Sequence, residues 1–165
     1  MKKAASRGIL RSVKRFLLAT IALLGLATAQ SAIQMRFGYG EGLGLTFGAG
    51  VESRLRQNLS GRLLAELAPA APGVALEASL LFKPDLGQYD PTLRGLLPYF
   101  GGGLSGLLGG QSTAGVGFSA GLEGLLDPYT GLFAEATYVY GFAGFPKVWR
   151  LGLGVNFRRW ASLTG

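Results

Sequence analysis

The feature that most constrains this chain is an alternation with a period of two that returns in segment after segment beyond residue 30. In 33–40, the apolar Ile33, Met35, Phe37 and Tyr39 alternate with Gln34, Arg36, Gly38 and Gly40. The same rhythm runs through 43–52, 59–68, 74–83, 114–123, 132–140 and 149–158, and glycine-dense 97–107 joins them without a facing that the sequence fixes. Successive side chains on a strand point to opposite faces, so each segment reads as a strand with one apolar and one non-apolar row. Turn residues separate them: Glu41-Gly42, Pro69 to Gly73, Asp127-Pro128 and Pro146. Eight such strands predict an all-β, closed, antiparallel up-and-down barrel.

A soluble barrel and a membrane barrel share this alternation with opposite sense. If water met the second row, long polar side chains would be expected there. That row is instead largely glycine, serine and threonine with a few charges. Glycine makes up 28 of the 165 residues, more than twice the usual share of about 7%. It weakens a solvent-facing strand without packing return, yet it suits the bore of an eight-stranded barrel, which is just wide enough for side chains to fill. The row of Leu, Ala, Val and Phe then faces lipid and the barrel is transmembrane. Arg36, Arg62, Arg150 and Arg158 share the inward row with Glu52, Glu66, Glu77, Glu123 and Glu135. Buried charges must be paired, so these nine are expected to form a structural ladder that plugs the lumen and fixes strand register. Aromatic residues cluster as two interfacial bands, Tyr138, Tyr140, Phe142, Phe145 and Trp149 on one side and Phe82, Tyr129, Phe157 and Trp160 on the other. The alternative is a soluble exported barrel of lipocalin type, with the apolar row inside around an apolar ligand.

The first 29 residues follow another rule. Lys2, Lys3, Arg7, Arg11, Lys14 and Arg15 precede an apolar run from Phe16 to Leu26 that ends at Ala27-Thr28-Ala29. A basic region, a short apolar core and small residues at −3 and −1 make a helical secretory signal peptide, cleaved after Ala29. Residues 16–28 number 13, short of the roughly 20 that span a bilayer as a helix. Removing 1–29 leaves 10 basic and 9 acidic residues, so the net charge falls from +7 to +1. The basic excess belongs to the export signal, and a nucleic-acid partner loses its main support. The predicted organisation is a signal peptide over 1–29 and a barrel over 30–165.

The chain has no cysteine and no histidine. That excludes disulfides, thiolate nucleophiles, Ser-His-Asp catalysis and the commonest metal ligand. Gly101-x-Gly103-x-x-Gly106 matches the dinucleotide fingerprint, but Leu107-Leu-Gly-Gly supplies no helix to meet a pyrophosphate. The five glutamates sit among arginines, which favours structure over glycoside chemistry. No catalytic residue, cofactor or metal is therefore expected.

From 97 to 157 the chain resembles the small outer-membrane β-barrels of the opacity and OmpA-like type. The resembling stretches are LPYFGGGL (97–104), GVGFSAGLEGLLDP (115–128), LFAEATYVYG (132–141) and WRLGLGVNF (149–157). The resemblance implies residence in a Gram-negative-type outer membrane, with outer-membrane lipid and the barrel assembly machinery as partners, and a structural or interaction role in the envelope. It also implies periplasmic termini, which puts the longest connection, 83–96, on the periplasmic side. The outer turns near Gly40, 69–73, 108–113 and 142–146 are short, and 161–165 extend past Trp160, whereas such barrels usually end on an aromatic residue.

Overall fold

The computed structural model describes residues 30–70, 73–109, 113–142 and 147–160. The signal peptide with its Ala27 and Ala29 cleavage site, Phe145, Pro146 and 161–165 lie outside the described residues.

Eight strands follow one another in chain order: β1 (Gln30–Gly40), β2 (Gly44–Arg56), β3 (Leu59–Ala68), β4 (Gly73–Phe82), β5 (Leu96–Gly109), β6 (Thr113–Leu125), β7 (Thr130–Gly141) and β8 (Val148–Trp160). Each pairs antiparallel with the next, and β8 pairs back with β1 from Gln30↔Trp160 to Gly40↔Arg150, closing the barrel. Closure leaves no strand edge unpaired. Local chemistry makes the reversals. Between β1 and β2 the chain turns through Gly42 (φ 72°) and Gly44 (φ 70°), a left-handed conformation open to glycine at little cost. Gln57-Asn58 joins β2 to β3, and Arg54 Nε and Nη2 donate to the Gln57 carbonyl at 3.1 and 2.6 Å. Asp127 accepts the Tyr129 and Thr130 amides at 2.7 and 2.8 Å in the β6–β7 turn. The longest connection, between β4 and β5, contains two short 3-10 turns, Leu86–Gln88 and Pro91–Leu93. It lies at the end of the barrel that also carries both strand termini.

The alternation read from the sequence is physically sorted. Arg62 (2% exposed), Glu66 (1%) and Glu123 (0%) line the inside, while Leu104 (64%), Leu153 (62%) and Ile33 (61%) stand on the outer wall. This corrects the lipocalin-type alternative: it requires the apolar row inside, and the structure puts that row outside. β5, whose facing was open, turns Tyr99, Gly101, Gly103 and Ser105 inward and Phe100 and Leu104 outward. The glycine fingerprint is thus a stretch of strand. Aromatic contacts mark both ends of the wall: Tyr138 and Trp149 meet at 4.7 Å near one end, and Phe82 and Phe100 at 5.4 Å near the other.

Candidate functional site: the charged lumen

The inward row brings together charges that lie far apart in sequence. Arg36 on β1, Arg62 and Glu66 on β3, Glu77 on β4, Glu135 on β7 and Arg150 on β8 form a closed ring of alternating sign. Arg36 Nη1 donates to Glu135 at 2.6 Å and its Nε lies 3.3 Å from Glu66. Arg150 bridges Glu66 and Glu77, at 2.6 Å each. Arg62 closes the circuit between Glu77, at 2.6 Å, and Glu135. Every guanidinium in the ring touches two carboxylates and every carboxylate two guanidiniums. Hydroxyls add to two of the carboxylates, with Ser79 donating to Glu77 at 3.1 Å and Thr137 to Glu135 at 3.0 Å. Pairing of this kind is what an ionic cluster taken out of water requires, because desolvation otherwise exceeds the Coulombic gain. The guanidiniums are nonetheless not saturated, since Arg36 Nη2 and the Nε atoms of Arg36, Arg62 and Arg150 are buried without a hydrogen-bond partner.

A second, open chain of charges lies nearer the terminus-bearing end. Lys83, just past β4, donates to both oxygens of Glu52 at 2.7 and 2.8 Å and to Glu123 at 2.9 Å, and Arg158 pairs with the other oxygen of Glu123. Between the two groups sits a small apolar cluster of Leu81, Tyr99 and Phe133. Beyond it, a cavity of about 170 Å³ is lined by Glu52, Arg54, Asn58, Lys83, Asp85 and Arg158 among others. A smaller one of about 30 Å³ lies at the opposite end beside Arg150 and Val139. Ring and apolar cluster separate them.

Glycine makes the room. A Cβ at Gly152 would fall on the Arg36 guanidinium, 2.7 Å from its Cζ, and one at Gly131 would fall on the Glu123 carboxylate, 2.9 Å from its Cδ. At Gly121 it would strike the Tyr99 ring. Each of these glycines faces inward opposite a large group, so the bore is filled by long side chains from some strands lying over bare backbone of others.

All nine sequence-predicted residues point into the lumen. Arg36, Arg62, Glu66, Glu77, Glu135 and Arg150 meet in the ring, whereas Glu52, Glu123 and Arg158 belong to the second group. Sequence reasoning missed Lys83, which ends the inward row of β4. Its signal was arithmetic: five inward glutamates faced four inward arginines, and Lys83 supplies the fifth cation. Tyr99 was missed because the glycines of β5 hid that strand's facing.

No protein-family model matches the sequence, and no curated protein matches it. Among solved structures it is similar to the N-terminal β-barrel domain of Pseudomonas aeruginosa OprF, at 17% identity and a TM-score of 0.67, over 79% of this chain and 97% of that one. A de novo designed transmembrane β-barrel matches at 14% identity and a TM-score of 0.62, over 79% and 95%. Neisserial surface protein A matches at 19% identity and a TM-score of 0.57, over 78% and 95%. The chain therefore has the fold of the small eight-stranded outer-membrane β-barrels, the architecture of the OmpA-like and opacity-type proteins.

Proposed function

We propose that the protein is exported, enters an outer membrane through the barrel assembly machinery, and serves there as a sealed structural or interaction element of the envelope. The observation that carries this reading is the inversion of the barrel: an apolar outer wall around an interior closed by the six-membered Arg/Glu ring. An apolar wall of this extent needs lipid to cover it. The ring supports a role in register, because a one-residue slip of β1 against its neighbours would carry Arg36 from the lumen to the lipid face. It also supports a non-conducting barrel, since the bore is occupied by paired charges and packed side chains. With each ring carboxylate held by two guanidiniums, none is left free for acid–base work, which favours a non-catalytic role.

Cell fractionation with gel electrophoresis tests the proposal. The protein is expected in the outer-membrane fraction, requiring detergent for release and migrating faster unboiled than boiled in SDS. Release as a soluble protein by osmotic shock would overturn it.

A further inference from the structure

The cavity of about 170 Å³ at the terminus-bearing end is lined by charges of both signs, and part of their hydrogen-bonding capacity is not engaged inside the protein. Its floor is settled, because the Lys83 ammonium is shared between Glu52 and Glu123. The rim differs. Arg158 gives only Nη2 to Glu123, and Arg54 gives Nε and Nη2 to the Gln57 carbonyl. That leaves Nη1 of each guanidinium, and Nε of Arg158, without an acceptor among the described residues. Asn58 Oδ1 is buried without a hydrogen-bond partner. Asp85 receives the Gly87 amide on Oδ1, and its Oδ2 accepts nothing among the described residues.

Strand order sets these groups in three arcs around the mouth. Ala32 lies between Arg158 of β8 and Glu52 of β2 in one cross-strand row, and Arg54 follows two residues beyond Glu52, opposite Ser60. The Lys83 amide donates to the Asn58 carbonyl at 2.8 Å, so the connection that carries Asp85 runs beside the β2–β3 turn. Both acceptors thus stand on one side. The third arc is apolar, formed by Leu97 of β5 and Leu125 of β6, whose amide holds the Gly95 carbonyl at 2.8 Å.

A small anion here would meet Asp85, a small cation would meet two guanidiniums, and a purely apolar guest would leave both signs desolvated. A molecule with both charges and a short apolar group satisfies all three arcs. The volume is below the roughly 300–1,000 Å³ of sites for drug-sized ligands, which limits the guest to about the size of an amino acid. We propose that this cavity binds a small zwitterion of the α-amino acid type. Its carboxylate lies on Arg54 and Arg158, its ammonium on Asn58 and Asp85, and its side chain on Leu97 and Leu125. Guanidinium forks suit a carboxylate. The site lies within the bore and does not depend on what covers the outer wall.

Titration calorimetry of the folded barrel in detergent micelles tests this with L-leucine as the probe. Three analogues accompany it: leucinamide lacks the carboxylate, N-acetyl-leucine lacks the ammonium and glycine lacks the side chain. Saturable binding of leucine is expected, with leucinamide and N-acetyl-leucine each weaker by about tenfold or more, as the loss of a charged hydrogen-bonding group implies. Glycine should also bind more weakly. Arg54→Gln, at an exposed side chain, should weaken leucine about tenfold while the fast-migrating unboiled band still forms, and Leu97→Trp should abolish binding by filling the cavity. Absence of saturable leucine binding, equal binding of any analogue, or undiminished binding in either variant overturns the proposal. Each of these results leaves the outer-membrane reading standing, since fractionation decides that separately.

Discussion

Glu135 is buried, 4% exposed, and held between two guanidiniums, those of Arg36 and Arg62. Glu135→Gln opens the ring there and leaves two buried cations each with one carboxylate instead of two. Removing one member of a buried ionic cluster typically costs about 3–5 kcal/mol, so the folded band of this variant should melt well below that of the wild type in the same detergent. Gly152 tests the complementary statement, that glycine is present to make space. Gly152→Ala places a methyl on the Arg36 guanidinium and should cost about 1–3 kcal/mol, as overpacking usually does. Gly124→Ala is its control, because a Cβ there meets only Leu96, at 4.0 Å. Denaturant melts of the two alanine variants should separate, with Gly124→Ala within about 0.5 kcal/mol of wild type.

Strands and turns carry their own consequences. If the outer wall meets lipid, an arginine on it should cost according to depth. Leu104 lies near the middle of β5 and Leu45 near the turn end of β2. Leu104→Arg should therefore lose about 2–4 kcal/mol and Leu45→Arg about 0–1 kcal/mol in lipid, read from unfolding titrations in vesicles. Among the turns, Asp127 is held below the usual aspartate range by the Tyr129 and Thr130 amides that it accepts. A depressed carboxyl contributes stability above the pKa of the unfolded chain and loses it as the pH falls through the folded value. The β6–β7 turn should thus stay ordered at neutral pH and loosen in acid, and a carboxyl titration by NMR should give Asp127 a lower midpoint than a denatured reference. Alternation made most strands legible because one row is apolar and the other is not. It failed on β5, where inward Gly101 and Gly103 and outward Gly102 and Gly106 erase the contrast between rows. Strand ends were shorter in the sequence reading than in the structure. β2 runs on to Arg56 through a register irregularity at Arg54, and an irregular strand end does not alternate.

On the scale of the whole molecule, closure does what no single segment announces. Parity along a strand told which charges face inward, but pairing depends on which strands stand across the bore: Arg36 meets Glu135 from 99 residues away. That partnership exists only once β8 has returned to β1, which is why the inward residues were readable and the ring was not. Closure also sets five cations against five carboxylates in the interior. The central claim, that the apolar row meets lipid and the charged row fills the bore, can be read directly because the chain contains no cysteine. Single cysteines placed along β7 by Leu132→Cys, Phe133→Cys, Ala134→Cys, Ala136→Cys and Thr137→Cys can each be exposed, in the folded barrel in vesicles, to a lipid-soluble thiol reagent too large for the filled bore. Modification at 132, 134 and 136 with little at 133 and 137 is the predicted result; the reverse alternation, or none, would contradict it.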